Sequence, residues 1–264
     1  MSIAEKLTTI AENEQKVYDA GFEAGKSQGG DTDEAFEQGR QAEKKAIWDA
    51  ITNSNKRKTY NRAFYEWDCE YIRPPYKITP TDEQSGTYTF YGNKSLIAVE
   101  KECFDFSKKA TSNSSNSSWQ NTFASCSNLK TIEDIGLTAQ YSYINTFRGC
   151  SKLVTIAKMG VGESTAFTTP FYNCTLLEDI TIEGTIGKNG FDVSMAKNIS
   201  KLSLLSILNA CKKDVIGQGI SITLPSKCID GATDTETLMS ETGDSGLYGA
   251  RMCAISYGYS FTFA

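Results

Sequence analysis

The chain has 264 residues, 39% hydrophobic, 22% charged and 11% aromatic, with a net charge of -5. That composition is too apolar for a disordered chain, and its acidic balance excludes a polyphosphate binder, which needs clustered Lys and Arg. It contains no histidine, which removes the commonest general base, the commonest zinc ligand and every pairing of a nucleophile with histidine.

The opening, MSIAEKLTTIAENEQ, has no basic start followed by an apolar run, so no secretory signal is expected. No segment reaches the roughly 18 uninterrupted apolar residues of a membrane span, so no membrane insertion is expected. The eight cysteines then read as free thiols of a protein made in a reducing cytoplasm. None lies in a CxxC pair, so neither a metal nor another cofactor is expected.

Ile3, Leu7, Ile10, Glu14, Val17, Gly21 and Ala24 follow 4-3 spacing over three heptads. Such a narrow seam suits a parallel coiled coil, and residues 1–28 read as an oligomerising helix with Ile3, Leu7, Ile10, Val17 and Ala24 as its seam. Ile at core positions favours a homotrimer, with Glu14 and Gly21 interrupting the seam. A helix packed on its own domain is the alternative. Residues 29–78 read as a second helix, ending near Ile51, and an aromatic connector with Tyr60, Phe64, Tyr65, Trp67, Tyr71 and Tyr76. A hydrophobic knot is favoured there over a sugar-stacking surface.

The middle of the chain repeats. Phe123, Cys126, Leu129 and Ile132 recur as Phe147, Cys150, Leu153 and Ile156, then as Phe171, Cys174, Leu177 and Ile180, at a period of 24. Two degenerate copies flank these: Phe90, Asn93, Leu96 and Val99 before, and Met195, Asn198 and Leu202 after, the last slipped by one residue. About nine residues are inserted after the first copy, within the Ser/Asn-rich run KKATSNSSNSSWQN, which reads as a surface loop. Each unit cannot bury its Leu and Ile until a neighbour stacks on it. The Leu-x-x-Ile run is expected to form a short strand, Phe to stack on Phe, and Cys to be a small buried residue at the preceding turn.

Phe-x-x-Cys-x-x-Leu-x-x-Ile at this period resembles the bacterial-surface-protein (BspA-like) class of leucine-rich repeats, over about residues 86 to 202. The opening MSIAEKLTTIAENEQKVYDAGFEAGK, the AEKKAIWDAI segment, Leu204–Ala210 and the final GYSFTFA are similar to leucine-rich-repeat proteins encoded in phages and prophages of Firmicutes. The resemblance implies an α+β chain: an N-terminal coiled-coil helix, a short leucine-rich-repeat solenoid over 79–203, and an α/β region over 204–264. In that region KLSLLSILNACKK reads as a helix, ISITLP as a strand, Thr235 to Met239 and Leu247 to Cys253 as helical pieces, and SYGYSFTFA as a closing strand. Whether it is a cap on the solenoid or a binding tip stays open.

The leading functional reading is a non-enzymatic phage virion protein of the tail or tail tip, made in the bacterial cytoplasm. Its partners would be itself, other virion proteins and a bacterial surface glycan or protein. A bacterial surface adhesin is the second reading, and a glycan-degrading tail enzyme the third. The third needs two carboxylates about 5 to 10 Å apart, drawn from Asp134, Glu163, Glu178, Asp179 and Glu183. Trp119, Tyr141, Tyr143 and Tyr172 are the candidate ligand contacts, because aromatics give rigid contact area and most of these fall outside the ladder. Filling gaps between repeats is their alternative role.

Overall fold

The structure, a computed structural model, describes residues 71–72, 87–101, 119–135, 142–228 and 234–264. The chain divides into Met1–Arg57 and Lys58–Ala264, and all described residues belong to the second unit. The seam Ile3, Leu7, Ile10, Val17 and Ala24, the second helix, Tyr141 and most of the Ser/Asn-rich insertion lie outside the described residues.

The described chain is α+β. In order it forms β1 (Tyr71–Ile72), β2 (Ala98–Val99), β3 (Thr131–Ile132), β4 (Tyr143–Ile144), β5 (Thr155–Val161), β6 (Phe167–Thr168) and β7 (Asp179–Gly184). Then come α1 (Lys201–Ala210), β8 (Ser221–Leu224), α2 (Thr235–Leu238), α3 (Ser245–Ser256) and β9 (Ser260–Phe263). Five strands make one sheet in the order β1-β2-β3-β5-β7, every pairing parallel. Parallel neighbours need a crossover of a dozen residues or more, and here the rest of each repeat supplies it. Ile132 lies opposite Ile156, and Ile156 opposite Ile180, so the sequence period is the sheet register. β1 lies in the segment read from sequence as a connector, so the sheet starts earlier than the repeat motif.

A second hydrogen-bond ladder lies away from this sheet, at the phenylalanine turns. The residues two before and two after each Phe have positive φ: Tyr88 and Gly92, Asn121 and Ser125, Asn145 and Gly149, Thr169 and Asn173. Left-handed backbone is costly for most side chains and cheapest for Gly and Asn, which take five of these eight places. It turns three alternate amides toward the next repeat. Asn121 N, Phe123 N and Ser125 N donate to Ile144 O, Thr146 O and Arg148 O at 2.9, 2.9 and 2.8 Å. Asn145 N, Phe147 N and Gly149 N donate in the same way to Thr168 O, Pro170 O and Tyr172 O at 2.9, 3.0 and 2.8 Å. Three bonds per step, at about 0.5–1.5 kcal/mol each, offset the strain.

The core is a set of columns along the repeat axis. Phe90, Phe123, Phe147 and Phe171 stack face to face at 5.5, 5.9 and 5.5 Å between centroids. Leu96, Leu129, Leu153 and Leu177 are fully buried, as are Val99, Ile132 and Ile156.

The last unit departs from the sequence reading. Met195, Asn198 and Leu202 are not its core positions, and Leu202 is 78% exposed. Val193, Ala196 and Ile199 take the inward places: Ala196 N bonds Val193 O and Ile199 N bonds Ala196 O, as Cys126 N bonds Phe123 O and Leu129 N bonds Cys126 O. The step from Glu178 to Ser200, joined by Ser200 N to Glu178 O, is 22 residues where the earlier steps from Lys130 to Val154 to Glu178 are 24. Two residues are missing from this turn, and a valine stands where the phenylalanine would be.

α1 follows at once and closes the open edge of β7. Ser200 caps it, its side chain accepting from Ser203 N. Ile180 N donates to Ser203 Oγ and Ile182 N to Ser206 Oγ, both at 2.8 Å, while Ser203 Oγ donates to Glu178 O at 3.0 Å. Alternate residues of a strand present their amides on one edge, and two serines three apart share one helix face, so a helix here substitutes for a sixth strand. Covering the edge also removes a template for sheet-to-sheet aggregation. Ser206→Ala leaves the Ile182 amide without its acceptor and is expected to cost about 1–3 kcal/mol. Amide exchange should accelerate at Ile182 relative to Ile156; unchanged protection would contradict this role for the serine.

β8 and β9 form a separate parallel pair, tied to the last repeat through Val193 N to Thr223 O and Thr223 N to Phe191 O. The region after Leu204 is therefore hydrogen-bonded directly onto the end of the repeat stack. Among the described residues no helix is long and apolar enough to cross a membrane.

Candidate functional site

Two of the sequence-derived contact residues are core. Trp119 and Tyr143 are 1% and 0% exposed, which corrects their reading as ligand contacts. They belong to a second aromatic column, Trp119, Tyr143, Phe167 and Phe191, spaced by 24 like the first, with its first three members four residues before a ladder Phe. Tyr143 stacks on Phe167 at 6.0 Å and 8°, and Phe167 meets Phe191 edge-on at 5.2 Å. The Tyr143 hydroxyl donates into the core, to Gly160 O at 2.7 Å. Its sequence signal is aromatic character recurring at a period of 24 without a shared residue identity.

Tyr172 is different. It is 52% exposed, and the Arg148 guanidinium lies 5.1 Å from its ring centroid, a cation-π contact that holds the ring in place. Beside it opens a cavity of about 180 Å³ lined by Thr169, Phe171, Tyr172, Asp192, Ser194 and Met195. Its place in the fold explains it, because it lies at the step where the repeat shortens and Val193 replaces Phe. The Phe171 ring, which would otherwise be covered face-on, is met only edge-on by Phe191, at 5.8 Å and 67°. The amide ladder also ends here. Asn173 N turns to Met195 Sδ at 3.1 Å, and among the described hydrogen bonds Thr169 N and Phe171 N have no backbone acceptor in the last unit. Asp192 is anchored by a parallel bridge to Thr223 and accepts from Ser194 N through Oδ1 at 2.9 Å. Sequence reasoning missed Asp192 and Ser194, and the signal for them was the two-residue deletion.

The ladder cysteines are core residues. Cys126, Cys150 and Cys174 are buried, and their Sγ atoms donate to Phe90 O, Phe123 O and Phe147 O at 3.0, 3.0 and 3.1 Å. In the first copy Asn93 takes the place, its Oδ1 accepting from Ser95 N and Leu96 N. Burial pushes the Cys126 and Cys174 thiols from 9.0 up to about 12 and Cys150 well above 9.0, opposite to what a nucleophile needs. Unfolded thiols ionise near 9.0 while the native ones keep their protons, so stability is intact below pH 9 and falls as pH rises toward 12, by about 1.4 kcal/mol per unit per thiol. In thiol labelling at pH 8 with site readout by mass spectrometry, exposed Cys253 should react and the three ladder cysteines should not.

Most of the candidate carboxylates are ordinary surface charges. Glu163 pairs with Lys213 at 3.2 Å, and Asp179 accepts from Ser200 Oγ at 2.8 Å. Asp134 is the exception. Desolvation raises its carboxyl above the usual range, with Lys158 opposing and Glu183 adding to the rise, and Lys158 itself pairs with Glu183 at 3.0 Å. Lys158 on β5 thus pairs with Glu183 on β7 and acts on Asp134, just after β3, through its charge. Among the described residues no group of three or more metal-ligating side chains converges.

No protein-family model, curated protein or solved structure matches the chain. The geometry by itself defines a class: an α+β protein of stacked, parallel-paired repeats, closed at one end by a helix and opened beside that end by a small aromatic-lipped hollow.

Proposed function

We propose that this is a non-enzymatic recognition protein of a phage tail, a leucine-rich-repeat solenoid of BspA-like type carried on a self-associating N-terminal helix. Its opening helix would bind copies of itself, with a trimer favoured, and other virion proteins, while the repeat body faces a glycan or protein of the bacterial surface. The observation that carries this reading is the repeat stack with its serine-closed edge. Repeat stacks of this kind present long rigid surfaces, and the buried high-pKa cysteines leave the ladder without a nucleophile. The helical seam and the 24-residue motif add the sequence resemblance to phage-encoded leucine-rich-repeat proteins.

Immunogold labelling of phage particles released by the encoding bacterium tests it: gold at the tail end is expected. Label on the bacterial surface with bare particles would contradict it and favour the adhesin reading. The competing glycan-degrading reading would draw on Asp134 and Glu183, whose charges act on one another. That reading requires reducing ends released from host surface polymer by the full chain and lost in Asp134→Asn.

A further inference from the structure

We propose that the hollow beside Tyr172 is a subsite for an N-acetylated amino sugar, which seats its acetamido group in the cavity and lays its ring against Tyr172. This deepens the recognition reading above and rests on it for biological meaning.

The hollow follows from the repeat arithmetic. A 24-residue step would place a phenylalanine over Phe171 and carbonyls over the Thr169 and Phe171 amides. The 22-residue step places Val193 there, sends Asn173 N to Met195 Sδ and leaves the other two amides without a backbone acceptor in the last unit. Two residues of the lining, Thr169 and Phe171, therefore carry backbone donors that the last unit does not engage. The lining also holds an acceptor, Asp192, with Oδ1 taken by Ser194 N. Phe171 and Met195 make a short apolar stretch, and half-exposed Tyr172 forms the lip.

A ligand matching this lining needs a carbonyl to accept from the amides, a neighbouring N–H to donate to the carboxylate, a small apolar group and a flat C–H face for an aromatic ring. An acetamido group on a pyranose supplies all four. A phosphate or carboxylate ligand is disfavoured by the Asp192 charge. A volume of about 180 Å³ lies below the roughly 300 Å³ at which drug-sized pockets begin, so one substituent enters while the sugar ring stays at the rim. Arg148 stacked on Tyr172 fixes the ring before binding, which lowers the entropy lost on contact.

The test uses the full chain and N-acetyl-D-glucosamine as probe, read by saturation-transfer NMR and titration. A dissociation constant on the order of 1 mM is expected for a ligand of this size, with the acetyl methyl receiving the strongest transfer. Glucose, glucosamine and N-methylacetamide should each bind at least about ten-fold more weakly, since each lacks part of the match. Tyr172→Ala and Asp192→Asn should weaken binding by a similar factor, while Leu176→Ala, at an exposed position outside the cavity lining, should not. Tyr172 is largely exposed, so its variant should melt close to the parent and report on binding alone. No measurable binding, or equal binding by the two cavity variants, overturns the assignment; N-methylacetamide binding as well as the sugar would make the site a peptide-amide pocket. Adsorption to bacterial surfaces without sugar binding would sink the subsite and spare the recognition reading. Sugar binding without attachment to particles or cells would do the reverse.

Discussion

Phe147→Ala is expected to destabilise the repeat body by about 3–5 kcal/mol, among the largest effects of any single truncation in the described chain. Phe147 is fully buried with a parallel ring on each side, Phe123 at 5.9 Å and Phe171 at 5.5 Å. Its removal leaves a cavity that two flat rings cannot close, and it forfeits both stacking contacts, each worth about 0.5–1.5 kcal/mol beyond area burial. The left-handed turn around it holds the backbone in place through three bonds to the next repeat, which limits collapse into the gap. Urea unfolding measures the loss. A cost below about 1 kcal/mol would mean that the rings do not form a continuous stack, since truncations of this kind are otherwise expensive.

Tyr143 gives the second large effect and separates two roles that one residue type can play. Tyr143→Ala should also cost about 3–5 kcal/mol, because the ring sits between Phe147 and Phe167 with no exposed area. Tyr143→Phe keeps the ring and removes the donor to Gly160 O, leaving that carbonyl short of a partner and costing about 1–3 kcal/mol. Tyr172→Ala, by contrast, should shift stability by no more than about 0.5 kcal/mol, as expected for a surface side chain. If Tyr143→Ala melted with the parent and Tyr172→Ala did not, the assignment of core and surface would be reversed.

The period was legible in the sequence because Phe, Cys, Leu and Ile each recur as the same residue type, so identity alone reveals the spacing. The second column was not, because Trp119, Tyr143, Phe167 and Phe191 share ring character without sharing identity. Trp119 and Tyr143 read separately as solvent-facing aromatics, and nothing in the repeat motif points to Phe167 or Phe191. The left-handed ladder is fainter still, since Tyr88, Asn121, Asn145 and Thr169 have only backbone conformation in common. The hollow by Tyr172 arises from a deletion, and Met195, Asn198 and Leu202 match the motif's residue types only with a slip of one. The hydrogen bonds align Val193, Ala196 and Ile199. The C-terminal elements were easier: Ser200, Asp234 and Asp244 cap the three helices through their side chains, as short polar residues at helix starts do.

The mass of the full chain in solution decides whether the repeat body is carried on a self-associating helix. At micromolar concentration the account predicts a trimer, three times 29.0 kDa, that falls apart when Leu7 and Ile10 in the helix seam are both changed to Asp. A chain that sediments as a monomer with its seam intact would contradict it.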